Sequence, residues 1–138
     1  MTSTAAKPTA SLPARVAVRA AVGVLLAVSG VIHAYLYIDG GYRYIPTVGT
    51  GFLWQAAIFC TLAVLIVLGG PEWLSWAGAV LSAGALIAFA LSRTVGLFGF
   101  TERGWNPSPY ALLSVLAEAL TVVLVAAAVL RRRRSANS

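Results

Sequence analysis

The sequence predicts an all-α fold, a bundle of four transmembrane helices with a disordered N-terminal tail and a short basic C-terminal tail. Three observations predict it. Four continuous apolar runs fall at about 15–38, 51–69, 72–95 and 109–130, each near the ~20 residues that cross a hydrocarbon core of about 30 Å. Of the 138 residues, 59% are hydrophobic and only 10% charged, against about 25% charged in a soluble domain. The cations also cluster at the ends: Lys7, Arg15, Arg19 and Arg131 to Arg134 hold most of the ten.

Residues 1–13, MTSTAAKPTASLP, are rich in Ser, Thr, Ala and Pro and lack apolar periodicity. They read as a disordered cytoplasmic tail. A single four-span domain is expected over 14–130. In the first span, Ala27-Val28-Ser29 before Gly30 resembles a signal-peptide cleavage site, but the apolar run continues to Ile38. That is longer than a signal h-region, so an uncleaved anchor is expected. Gly23, Ala27, Gly30 and Ala34 form a stripe of small residues that lets helices approach closely in lipid.

Asp39-Gly40-Gly41 marks the exit from span 1, where glycines supply the turn conformations of a sharp reversal. Arg43 between Tyr42 and Tyr44 reads as an interfacial clamp paired with Asp39. Gly69-Gly70-Pro71-Glu72 is a tight turn between spans 2 and 3. Span 3 carries a second small stripe, Gly78, Ser82 and Ala85. The segment GLFGFTERGWNPSP at 96–109 is too aromatic for a free loop. It is expected to fold back onto the membrane surface or over the mouth of the bundle. Ser108 is placed to N-cap span 4, with Pro109 at its first position. Thr47-Val48-Gly49 and Thr94-Val95-Gly96 echo each other, through a duplicated two-span hairpin or through chance. The basic cytoplasmic tail is 131–138.

Basic clusters beside spans orient them, so both termini are expected in the cytoplasm of a multi-pass cell-membrane protein. The connections at 39–50 and 96–108 then face outward. Tyr35, Tyr37, Tyr42, Tyr44, Trp54, Phe98, Phe100, Trp105 and Tyr110 mark that boundary, and Trp73 and Trp76 the inner one. The net charge of +6 is explained by this placement. The expected partners are the lipid bilayer, with anionic headgroups at Arg131, Arg132, Arg133 and Arg134, and a partner membrane subunit or a second copy of the chain. Nucleic acid is not expected. The lone Cys60 excludes an internal disulfide or a CxxC redox pair and reads as a small apolar filler.

Polar residues inside spans are costly and are candidate functional groups. Each span contributes one, His33, Gln55, Arg93 and Glu118, all in the outer half. Glu118 lies about 14 Å into span 4, near the bilayer centre, with Ser114 and Thr121 one turn away on its own face. It reads either as structural glue, protonated or paired with Arg93, or as a ligand, proton or ion site. His33 reads as an interfacial residue, or as a metal or haem ligand, a proton carrier or a hydrogen bonder to a quinone. As the only histidine it excludes bis-His haem within one subunit. A mixed site of His33, Glu118, Asp39 and Glu102 is not demanded by their spacing. Tyr37, Asp39 and Arg43 complete the candidates with Ser114 and Thr121.

No nucleophile–base pair, phosphate loop or cation-binding signature occurs, which disfavours enzymology of the soluble kind. The first functional expectation is a non-enzymatic binding or accessory subunit. Its outward-facing pocket, lined by His33, Gln55, Arg93 and Glu118, would hold a small amphiphile or a partner. The alternatives are a small proton- or ion-coupled transporter using Glu118, and a redox component binding quinone or haem near His33. Span interiors hold no proline, which weighs against the broken helices of many transporters. No cofactor is specified.

The pieces SGVIHAYLY at 29–37, GYRYIPTVGTGF at 41–52 and RTVGLFGFTERGWNPSP at 93–109, in this order, resemble small four-span bacterial integral membrane proteins of uncharacterised function. The arrangement is also distantly similar to DoxX-like proteins, through Ser29-Gly30-Val31 late in span 1. The resemblance covers about residues 20–120. It implies a four-span fold and no particular activity or catalytic residue.

Overall fold

The computed structural model describes residues 11–137. Four α-helices dominate it: α1 Leu12–Ile38, α2 Val48–Val67, α3 Trp73–Arg93 and α4 Tyr110–Asn137. A short 3₁₀ turn, Tyr42–Tyr44, follows α1. The fold is all-α, and each helix is long and apolar enough to cross a membrane. Of the tail expected over 1–13, positions 1–10 lie outside the described residues, while α1 takes in Leu12 and Pro13. Proline is accommodated there because the first turn of a helix needs no partner for its N–H groups.

The helices run up and down around a square. α1 packs on α2 and α4, α3 packs on α4 and α2, and the α1–α3 diagonal barely touches. Outside, Val24, Val31, Val64, Val80, Ile87 and Val123 expose more than half of their surface. Such an apolar exterior suits hydrocarbon, where every backbone polar group is already bonded within its own helix. Inside, the half nearer the termini is filled by Val22, Leu26, Phe59, Ile66, Leu74 and Val125. A smaller cluster, Ile32, Leu36, Tyr42 and Val48, closes the half nearer the 1–2 and 3–4 loops.

The small stripe of α1 faces α2. A Cβ at Gly30 would lie 2.8 Å from Cys60 Sγ and 3.2 Å from the Cys60 backbone nitrogen. One at Gly23 would lie 2.5 Å from Val67 Cγ2. Only hydrogen at these positions permits so close an approach, and dispersion between the helices gains accordingly. Gly30→Val should therefore lower stability by about 1–3 kcal/mol, read as a fall in the unfolding midpoint in mild detergent. Gly84→Val, where an added Cβ meets nothing within 4 Å, should unfold near the native midpoint; equal falls in both would remove this account of the α1–α2 contact.

At the termini end, Arg19 reaches across from α1 to the last turn of α2. Its guanidinium donates to the carbonyls of Ile66, at 3.2 and 3.3 Å, and of Gly70. Both carbonyls lie at or just past the end of α2, where intrahelical partners run out; that of Ile66 also accepts from the Gly69 N–H at 3.1 Å. Glu72, before α3, pairs with Arg132 on α4. The helix α4 continues through the basic tail to Asn137, 28 residues in all, or about 42 Å. Its last turns thus project beyond a hydrocarbon core of about 30 Å.

Two local expectations are corrected. Val48 and Gly49 open α2, whereas Thr94 caps the end of α3 and Gly96 follows it in the left-handed region. The Thr-Val-Gly echo therefore sits at opposite kinds of helix end and marks no repeated hairpin. Arg43 does not pair with Asp39; it donates to the Tyr44 hydroxyl at 2.8 Å and is exposed, as is Asp39.

Candidate functional site

Between the two apolar clusters lies a polar layer. Glu118 is 2% exposed and Ser29 is fully buried. The Ser29 hydroxyl donates to Glu118 Oε1 at 2.8 Å, and the Gln55 amide donates to the same oxygen at 2.7 Å. The acid on α4 is thus held by α1 and, across the diagonal, by α2. Register makes this meeting. Ser29 is the neighbour of Gly30, the residue pressed against Cys60, and Gln55 lies five positions before Cys60 on α2.

Both donors converge on one oxygen. Among the described residues, Ser82 Oγ alone is a fully buried side-chain polar atom without a hydrogen-bond partner. Glu118 Oε2, which takes no hydrogen bond from the described residues, is therefore not sealed. Glu118 lines a cavity of about 80 Å³ whose walls include His33, Phe52, Gln55, Phe89, Arg93 and Ser114. A water needs some 10–15 Å³ of such space, so the cavity has room for a few waters or one small molecule.

His33 is 7% exposed and stands edge-on to Phe52, with ring centroids 4.8 Å apart. Its Nδ1 lies 2.8 Å from the Ser29 carbonyl. A carbonyl only accepts, so Nδ1 carries the proton. In the neutral ring Nε2 is then an acceptor, and no protein group among the described residues bonds to it. The α1 helix thus fixes the tautomer through a contact one turn back.

Arg93 lines the same cavity but does not meet Glu118, so of the alternatives offered for the acid the pairing with Arg93 is not made. Instead Nη1 pairs with Glu102 at 3.1 Å and donates to Ser92 Oγ at 3.0 Å. Nε donates to the Gly104 carbonyl at 2.9 Å and Nη2 to the Asn106 carbonyl at 2.5 Å. Four of the five guanidinium donors are thus occupied, and the cation also lies over the Phe89 ring at 4.3 Å. Arg93 is a latch for the 3–4 loop.

Glu102 completes the latch by accepting from the Tyr42 hydroxyl at 2.8 and 2.9 Å. Burial first, then the bond to Glu102, push the Tyr42 phenol well above its ordinary range. Tyr42 accordingly stays a donor at any physiological pH. It is buried, stacked on Phe52 at 4.6 Å, and not part of the exposed aromatic belt formed by Tyr44, Trp54, Phe98 and Trp105. The loop itself turns tightly at Phe98-Gly99, both at positive φ, with Leu97 and Phe100 exchanging backbone hydrogen bonds. Leu97, Phe100, Glu102 and Pro107 of this loop line the cavity, so the loop forms part of its wall.

The structure therefore brings His33, Gln55, Arg93 and Glu118 to one cavity, with Ser114 at its wall. Thr121 is buried but donates to its own helix, to the Ala117 carbonyl at 2.8 Å. Tyr37, Asp39 and Arg43 lie outside the cavity lining. Among the described residues, His33, Glu118, Asp39 and Glu102 do not gather as a metal-binding cluster. Ser29, Tyr42 and Glu102 were the partners not singled out for the pocket from sequence; a serine one turn before the histidine was the available signal. The chain is an integral membrane protein with four spans in contact with lipid. No family model, curated protein or solved structure matches it.

Proposed function

We propose that the chain is a membrane-embedded binding protein whose loop-end cavity takes a small amphiphile bearing an amine or another hydrogen-bond donor. One observation carries this reading. Glu118 is buried between the two apolar clusters with one oxygen held by Ser29 and Gln55, while the acid lines a cavity that also holds the acceptor Nε2 of His33. Two acceptors in one enclosed space suit a ligand that donates. A buried carboxylate is costly without compensation, and a cationic head supplies it. Phe52 and Phe89 line the same cavity and add apolar surface for the carbon stem of such a ligand. The nearby Arg93 charge is offset by Glu102.

The other readings fit less well. In its neutral form His33 has no donor left for a quinone carbonyl, and a haem exceeds the enclosed space. Each span is one continuous helix, unlike the interrupted helices around many transporter sites. Thermal unfolding in detergent tests the proposal. n-Butylammonium should raise the midpoint and butyrate should not. No shift with butylammonium, or equal shifts with both, would rule out a donor-selective site.

The cavity is also proposed to face outward, with both termini in the cytoplasm; the basic residues Arg15, Arg19 and Arg131–Arg134 beside the spans support that orientation. A reporter active only in the cytoplasm should work when fused at either end. Activity of a periplasm-type reporter after Ser138 would reverse the assignment.

A further inference from the structure

The opposite end of the bundle holds a second space, which the loop-end cavity does not explain. A cleft of about 930 Å³ opens between the start of α1, the start of α3 and the end of α4. Its residues on α1 are Ala14, Arg15, Val18, Arg19 and Val22, a single stripe of that helix. On α4, Val125, Ala128, Val129 and Arg132 repeat at the same kind of spacing.

The cleft is graded. Its floor is Val22 and Val125, both members of the buried core. From each of these to the arginine on the same helix, Arg15 or Arg132, is seven residues, or about 10 Å along the axis. Between floor and rim the wall is Val18, Ala128 and Val129 with Arg19, whose guanidinium is turned to the end of α2, and the rim carries further guanidinium groups. Arg15, Arg131, Arg132 and Arg134 stand at that rim with Glu72 as its single acid among the described residues, and it is already paired with Arg132. Arg19 is committed to the end of α2. Among the described residues, Arg15 and Arg134 make no side-chain hydrogen bond. Trp76, a residue type that prefers the headgroup level, lines the same rim.

We infer that this cleft binds one anionic phospholipid, its phosphate on Arg15, Arg131 and Arg134 and one acyl chain laid on Val18, Val22, Val125 and Val129. Charge complementarity selects an anionic head. The apolar floor selects a ligand with a hydrocarbon tail over a free phosphate or a polar peptide. The cleft opens beside helices whose outer faces are already in lipid, so such a ligand arrives laterally without leaving the bilayer. The site differs from a diffuse attraction of a basic tail in one respect: it depends on which arginines are present. Arg133 carries the same charge on the same helix and is outside the cleft.

Native mass spectrometry of the full chain in mild detergent tests this with added dioleoyl phosphatidylglycerol or dioleoyl phosphatidylcholine. One phosphatidylglycerol should be retained in preference to phosphatidylcholine, and excess glycerol 3-phosphate should not displace it. Arg15→Gln and Arg134→Gln should each weaken the preference about fivefold, while Arg133→Gln leaves it unchanged. Ala128→Phe, which narrows the cleft without changing charge, should also release the lipid. Equal retention of both lipids, or equal losses from Arg133→Gln and Arg15→Gln, would overturn the inference in favour of unspecific attraction. Displacement by glycerol 3-phosphate would overturn it in favour of a free-phosphate site. A groove occupied by residues 1–10 or by a second copy would appear as no retained lipid, which also overturns it. The glutamine variants lie at an exposed rim and keep the test decisive if Ala128→Phe fails to fold.

Discussion

Glu118→Gln is expected to fold like the native chain and to lose affinity for butylammonium by about 10- to 100-fold. The geometry separates the two effects. Ser29 and Gln55 both donate to Oε1, and a glutamine side-chain oxygen accepts both bonds in the same place. The remaining group changes from an oxygen that accepts to an NH₂ that donates. A donating ligand then meets a donor, and a hydrogen bond to a charged group, worth about 1.5–3 kcal/mol, is lost. Glu118→Leu removes both functions. It leaves the Ser29 hydroxyl and the Gln55 amide without their acceptor and should shift stability by about 0.6–2 kcal/mol, the range of interhelical hydrogen bonds in membranes. Titration of each purified variant with butylammonium, followed by its unfolding midpoint, gives both quantities. Native-like affinity in Glu118→Gln would remove the acid from the proposed site and leave it as a tie between helices.

The largest loss of stability is expected from Arg93→Met. Methionine keeps a flexible apolar stem over Phe89 but removes the cation and all its donors. Glu102 is left half-buried with only Tyr42, and the carbonyls of Gly104 and Asn106 lose their partner. Removing one member of a buried, hydrogen-bonded ion pair costs about 3–5 kcal/mol. With the two side chains 13% and 22% exposed, the lower end of that range applies, about 3 kcal/mol. Amide exchange should rise most across 94–109, beginning at Leu97, Phe100 and Glu102, whose backbone N–H groups bond within or beneath the loop. Arg93→Lys should rescue little, because one ammonium does not replace a planar fork aimed at four acceptors. Exchange in this loop unchanged by Arg93→Met would show that something other than the latch holds it down.

The spans were readable because length and apolarity are properties of the chain alone. So was the concentration of His33, Gln55, Arg93 and Glu118 toward one end, since depth follows from position along a helix. Their pairing was not readable in the same way. Which carboxylate Arg93 meets depends on the path of the 3–4 loop, and the tight turn at Phe98-Gly99 brings Glu102 back nine residues to it. Glu118 meets Ser29 and Gln55 because the α1–α2 contact sets a rotation and a register that neither helix declares by itself. Tyr42 matched its neighbours Tyr35 and Tyr44 in type and spacing; only its burial under Phe52 and Phe100 separates a core phenol from a belt aromatic. The loop of 96–109 was legible as more than a tether from its aromatic content, whereas part of its hold comes through the carbonyls of Gly104 and Asn106, which carry no residue identity.

The unequal seams of the bundle bear on how it is made. Synthesis delivers the helices from the N-terminus, so α1 and α2 meet first, and theirs is the most extensive contact in the molecule. His33 is already provided for at that stage, by a carbonyl of its own helix. Ser29 and Gln55 are not, since their acceptor arrives with α4, the last helix. The third helix likewise touches its predecessors little and leans chiefly on α4. A nascent chain halted after α3 would therefore present a finished hairpin, a loosely attached span and two polar side chains facing lipid unpaired. In hydrocarbon such unpaired groups are costly. Arrival of the last span thus completes the packing and supplies the missing acceptor in a single event.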